Sequence, residues 1–268
     1  MLKIRLFTAA AFAFCGSLFA AEVQVQTKAT PSPGPSTPAV ATSPASASPS
    51  PATQLPQYRP ALLGTGPASV INRIDTAKLI AEGQKDAKIS FCSSVRPNGE
   101  IANTWTYRAS PDSTLLEREL VRCLDTAVFV PGIYDHQPVH VLFFGTVTFQ
   151  VVNGKPRLRI FANQETEELK KESDFVGPQP FAGRGSKFEG LHYPNDSLTS
   201  VLSGIVELAM KIDATGKLMD LRVVSEDPPL VGFRRAAAED FRVASFIPAF
   251  REGKPVECSV TLPVYYEP

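Results

Sequence analysis

The chain has 268 residues, with 27 Lys and Arg balanced by 27 Asp and Glu, so its formal charge is zero. That balance argues against a nucleic-acid binder, which carries a basic excess, and against a polybasic membrane-surface protein. The length allows one or two domains. Nine of the 24 prolines fall between Pro31 and Pro60, so averaged figures describe no single part of the chain.

The chain opens with Lys3 and Arg5, runs uncharged from Leu6 to Ala21, and reaches Glu22 through the small pair Ala20-Ala21. Charged, apolar, then small is the order of a secretory signal. The apolar run is shorter than the roughly 17–25 residues of a spanning helix. Residues 1–21 therefore read as a signal peptide, with an uncleaved inner-membrane anchor as the alternative. Cys15 follows the bulky Phe14, which argues against a lipidated cysteine. Without residues 1–21 the chain has 25 basic and 27 acidic residues, a net of −2, and keeps Cys92, Cys123 and Cys258. One bridge with a leftover thiol and three buried apolar thiols are both open readings. No CxxC or Cys/His cluster suggests zinc.

Residues 22–60 read as a linker. Ala29 to Tyr58 carries no charge and is dominated by Pro, Ser, Ala and Thr. Such a composition cannot bury a core and favours polyproline II. Extended, it would reach on the order of 90 Å.

The remainder contains two similar blocks. At a shift of 117 positions Gly99 meets Gly216, Pro111 meets Pro228, Phe129 meets Phe246, Pro131 meets Pro248 and Pro138-Val139 meets Pro255-Val256. This reads as two copies of a unit of roughly 65 residues, too few for a stacked array. Each copy opens on an alternating strand. Ile89, Phe91 and Val95 share one face in the first, and Val206, Leu208, Met210 and Ile212 in the second. The turns Arg96-Pro-Asn-Gly99 and Asp213-Ala-Thr-Gly216 lead into second strands at Ile101–Ala109 and Leu218–Ser225. Ser110-Pro111 and Asp227-Pro228 read as a capping residue with proline at the first helical position. The helix stripes are Leu116, Leu120, Leu124, Ala127 and Phe233, Ala237, Phe241, Ala244. The helices should stop before Phe129-Val-Pro131 and Phe246-Ile-Pro248. Final strands then follow at Val139–Val152 and Val256–Tyr266.

Each unit is thus strand, strand, helix, strand, an α+β arrangement with the helix on a small antiparallel sheet. Asn153-Gly154 adds a hairpin to the first copy, with Pro156 placing its extra strand at a sheet edge. Gln164–Ser173 reads as a short solvated helix, and 174–190, with its Pro and Gly, as linker. The resulting divisions are a divergent first unit at 61–162, a connector at 163–190 and a second unit at 191–268.

The second unit resembles the TonB C-terminal domain. The residues that carry the resemblance are Gly204-x-Val206-x-Leu208-x-x-x-Ile212-Asp213-x-x-Gly216-x-Leu218, then Val223-Val224-Ser225, Phe246-x-Pro248-Ala249 and Gly253-Lys254-Pro255-Val256. Tyr193-Pro194 stands where the family has its Tyr-Pro. The resemblance covers 193–266 well and 87–149 weakly, with Thr76-Ala77 in the Tyr-Pro place. It implies a periplasmic domain that grips an envelope protein, an outer-membrane transporter being the partner class, by pairing an extended segment to a sheet edge. By position that edge is Val256–Val264, making Tyr193, Pro194, Val256, Val260 and Val264 the candidate partner-binding residues. The chain departs from the family in its signal-like N-terminus, its uncharged spacer and the presence of two units. A self-associating envelope protein, forming homodimers through swapped or edge-paired strands, is the alternative. Membrane contact would follow only from an uncleaved N-terminal segment.

No residues point to catalysis or a cofactor. His136 and His140 lie in a turn and a strand start and do not form a helical pair, His192 reads as local packing, and GxSxG is absent. Gly183-Arg-Gly-Ser-Lys187 lacks the spacing and the strand-to-helix setting of a phosphate loop. Trp105 and Tyr107 share a strand face, and sheet packing is the reading favoured over an exposed binding patch.

Overall fold

The computed structural model describes residues 54–194 and 202–267. The signal-like segment and the spacer as far as residue 53 lie outside the described residues. In chain order the elements are β1 (Tyr58–Arg59), α1 (Val70–Arg73), α2 (Thr76–Ala81), β2 (Ala87–Val95), β3 (Ile101–Tyr107), α3 (Thr114–Leu124), β4 (Ile133–Tyr134) and β5 (Gln137–Pro138). There follow β6 (His140–Val152), β7 (Lys155–Phe161), α4 (Thr166–Lys171), β8 (Phe175–Val176) and β9 (Gln179–Ala182). The last stretch holds β10 (Gly204–Ile212), β11 (Leu218–Asp227), α5 (Phe233–Arg242), β12 (Ser245–Ile247), β13 (Ala249–Arg251), β14 (Lys254–Val256) and β15 (Cys258–Tyr266). All strand pairs are antiparallel and lie in several small sheets, so the molecule is of mixed α and β type.

The strand registers repeat at a shift of 117. Ile89 faces Val147 and Val95 faces Val141 in β2–β6. In β10–β15, Val206 faces Val264 and Ile212 faces Cys258. Cys92 faces Trp105 as Ala209 faces Arg222, and a bulge falls at Ser94/Val95 as at Lys211/Ile212. The turn glycines repeat too. Gly99 has φ +86° and accepts the Phe129 N–H at 2.8 Å; Gly216 has φ +85° and accepts the Phe246 N–H at 2.9 Å. In both, an added Cβ would run into the phenylalanine carbonyl oxygen, so backbone approach, as well as turn conformation, requires glycine.

The helices start later than Ser110-Pro111 and Asp227-Pro228 suggest. The Ser110 hydroxyl instead accepts the Lys88 N–H at 2.9 Å and closes the strand end. The amides at the helix starts find acceptors other than the residue before the proline. Gln84 Oε1, in a side chain only 4% exposed, accepts the Leu116 N–H of α3 at 2.8 Å. Glu226 accepts the Leu230 and Arg234 N–H groups at 3.0 and 3.1 Å ahead of and within α5. Any acceptor that reaches those amides serves as a cap, and these two displace the neighbouring Ser and Asp.

Residues 174–190 are not a free linker. β9 pairs on one side with β6 and on the other with β12, producing a sheet ordered β12-β9-β6-β2-β3, with β7 also on β6. β8 pairs with β13. Phe175, Gln179, Phe181 and Phe188 are buried. Pro and Gly here mark short strands with tight bends between them. The end of the proline-rich region is likewise incorporated. Tyr58–Arg59 pairs with Ile133–Tyr134, and Gln179 bonds both backbone groups of Ala61, at 2.7 and 3.0 Å. β7 pairs only with β6, so Pro156 does sit on an edge strand.

Two cores result. Ile89, Phe91, Phe143, Val147 and the α3 stripe form one. The second joins the inward face of β10 and β15 to Phe233, Phe241 and Phe246, and also takes Cys92, Tyr107, Leu142 and Phe144 from the opposite face of β2, β3 and β6. β2 and β6 are therefore buried on both faces. Tyr107 stacks on Tyr265 (centroids 5.9 Å, planes 19° apart), and Trp105 packs beside the same core. The aromatic pair serves packing. Cys92, Cys123 and Cys258 are all free thiols. Burial pushes Cys92 up and Cys258 to about 12, so neither is a reactive thiolate.

Candidate functional site

The second unit builds its sheet in the order β11-β10-β15. β10 alternates buried and half-buried residues, and its buried face packs with α5. Both β11 and β15 are paired on one side only, and such edges carry unpaired N–H and C=O groups.

The five candidate residues fall into three settings. Val260 and Val264 are buried at 4% and 0% exposure, opposite Met210 and Val206. Their side chains support the strand from the core and would touch a partner only through backbone. Val256 lies in the separate strand β14, opposite Ala249, and is half-buried. Tyr193 and Pro194 pack at the entry to the unit. The Tyr193 ring meets Phe233 edge-on at 5.6 Å, its hydroxyl accepts the Leu202 N–H at 3.3 Å, and Pro194 is buried.

The outer line of β15 is partly closed. The Thr261 N–H donates to Glu165 Oε1 at 2.6 Å, and Pro263, two residues on, has no N–H. Burial raises the Glu165 carboxyl above its ordinary range, and the bond from Thr261 opposes that shift. Arg251 reinforces this side of the molecule by pairing with Glu168 at 2.7 Å while lying 5.0 Å over the Phe175 ring.

β11 is different. Among the described residues no backbone hydrogen bond joins it to any element but β10. The groove between β11 and α5 is lined by Val223, Arg234, Arg235, Ala238, Glu239 and Arg242. Close by in sequence stand Val224 at 49% and Leu230 at 94% exposure. Leu230 has φ +64°, a conformation rare for a leucine. Glu226 holds it there through its N–H. Neither the groove nor the role of Glu165 is foreshadowed in the sequence; only Arg234, Arg235 and Arg242, spaced along one helix, could have drawn attention.

His192 fastens the Tyr193-Pro194 segment to α5. Its N–H donates to Asp240 Oδ2 at 2.8 Å, and its Nδ1 lies 2.7 Å from Oδ1. The first unit holds the matching place the same way, with the Asp75 N–H donating to Glu119 at 3.1 Å. The Asp240 carboxylate holds the His192 imidazole above its ordinary 6.5. Burial raises Asp240 as well, against the bonds from His192. The histidine direction carries the consequence, because its cause is a direct bond. A raised imidazole stabilises the fold fully below its unfolded value, and the contribution disappears as pH rises through the folded value. Wild type should therefore exceed His192→Gln in stability at a pH of about 5.5, by up to about 1 kcal/mol for so exposed an imidazole. The gap should close above neutral pH. Urea denaturation at both pH values measures it, and a constant gap would contradict the linkage.

A helix-backed sheet with an accessible edge has backbone groups that an added strand could pair with. Residues 189–268 match the family model described as Gram-negative bacterial TonB protein C-terminal. This segment is therefore similar to the TonB C-terminal domain, and the match does not extend to the rest of the chain. No curated protein matches the chain. Among the described residues no helix is long and apolar enough to cross a membrane.

Proposed function

We propose that this is a periplasmic partner-binding protein that captures an extended segment of an envelope protein by strand addition to the sheet of its second unit. The partner class is an outer-membrane transporter, and the role is assistance to transport across that membrane. The observation that carries this reading is the match over 189–268 to a sheet with strands paired on one side only. An incoming strand would satisfy backbone groups that now face water, so affinity comes from main-chain bonds and specificity from flanking side chains. We further propose that 61–162 is a second, divergent copy, supported by the registers shared at a shift of 117. In this reading the N-terminal segment is a secretory signal and the uncharged stretch a passive tail behind it; an uncleaved anchor would instead make that stretch a spacer.

The immobilised full chain, exposed to detergent-solubilised outer-membrane proteins, should retain a transporter. Recovery of the chain's own copies alone would sink this reading in favour of self-association through edge-paired strands.

A further inference from the structure

We propose that the open edge of β11, with the groove between it and α5, is the docking site, and that it takes an extended acidic segment of a partner protein. This rests on the strand-addition reading above and specifies which edge acts and on what chemistry. The β15 edge is obstructed, since Glu165 occupies the Thr261 N–H and Pro263 has none to offer. β11 has no such cover among the described residues. A strand laid along it would lie against α5, where Arg234 and Arg242 are exposed and make no ion pair among the described residues. Arg234 also stands in the first turn of α5, which contains no acidic residue. Glu226 already caps that helix end, so the attraction for a carboxylate rests on the two arginine side chains, with Glu239 beside them in the groove. Val223 and Ala238 line the groove with the charges and supply its apolar contacts.

The first unit shows why the second is the one that binds. At a shift of 117, Glu117 stands in the place of Arg234, Asp125 in that of Arg242 and Thr106 in that of Val223. Glu117 already accepts the Thr106 hydroxyl at 2.6 Å. The corresponding groove is bridged and would repel an acidic strand.

The test pans a displayed library of random dodecapeptides on the full chain and on the Arg234→Glu/Arg242→Glu variant. Both side chains are exposed, so the variant should melt as wild type does. Peptides selected on wild type should be rich in Asp and Glu alternating with apolar residues, and should bind the variant on the order of tenfold more weakly. Their affinity should fall with added salt. Hydrogen exchange of the complex should show new protection over Leu218–Asp227. Selected peptides that bind the variant equally well, or that protect Cys258–Tyr266 instead, would overturn the β11 site and leave strand addition standing. A library that yields no binder would overturn peptide capture itself.

Discussion

Gly216→Ala should cost the fold roughly 2–5 kcal/mol. The new Cβ would lie 1.8 Å from the Phe246 carbonyl oxygen and 2.9 Å from its carbon. That carbonyl belongs to backbone and cannot swing away as a side-chain tip could. Phe246 lies within β12, which is tied to β9, and its ring is fully buried. The glycine must therefore move, and with it the bond from the Phe246 N–H. The left-handed conformation costs an L-residue about 1–2 kcal/mol. Losing a buried backbone bond adds about 1–3 kcal/mol. Denaturant unfolding measures the sum, and a wild-type midpoint would mean that the turn relaxes freely. Gly99→Ala is the matching experiment in the first unit, with Cβ 2.1 Å from the Phe129 carbonyl oxygen and φ +86°. It should cost a similar amount. If only one of the two were costly, the shared turn would not have the same structural importance in both units.

Phe233→Ala should be comparably severe, at about 3–5 kcal/mol for a buried phenylalanine truncated to a methyl. The ring is 0% exposed and stacks on Tyr266 at 5.2 Å with planes 18° apart. It also receives the edge of Tyr193 at 5.6 Å. Gly204, at the start of β10, leaves space for it, since a Cβ there would lie 2.4 Å from the ring. One side chain thus joins the helix, the end of the sheet where Gly204 faces Tyr266, and the Tyr193-Pro194 segment. Surrounding groups come from four parts of the chain and cannot collapse together into the void. Thermal unfolding should drop by roughly 10 °C, at about 2–4 °C per kcal/mol for a domain of this size. Limited proteolysis should cut sooner near residue 193. Phe233→Leu, which keeps most of the volume, should lose much less. Equal losses for the two substitutions would show that ring stacking on Tyr266 and Tyr193, and not filled volume, dominates there.

Both predictions concern positions that the sequence pattern already marks. Gly99 and Gly216 each close a turn between alternating strands, and Phe233 heads a helical stripe. Period-two alternation in Ile205–Ile212 and the stripe from Phe233 to Ala244 arise from neighbours along the chain, so they can be read without a fold. The helix starts could not. The Ser110-Pro111 and Asp227-Pro228 pairs have the right local chemistry, but Gln84 and Glu226 reach the amides first. The 174–190 segment misled for a related reason. Its Pro and Gly suggested linker, whereas the value of Gln179 lies in its bonds to Ala61, 118 positions away. The candidate site divides in the same way. Chain order made Val256–Tyr266 the last strand and Val256–Val264 its edge, whereas Val256 belongs to the separate β14. Chain order could not reveal that Glu165, 96 positions earlier, occupies the Thr261 amide.

The sequence by itself determined the period of each element, the glycine turns, the three-strand-and-helix plan and the family of the second unit, because these depend on residues close together in the chain. Only the tertiary structure decided that residues 174–190 pair through β9 with β6 and β12 and through β8 with β13, that the three cysteines stay free, and that Glu165 takes one amide of the β15 edge while β11 carries no such cover among the described residues. Those outcomes depend on which distant donor meets which acceptor, and on which faces are covered when the cores close, and neither is encoded in any local period.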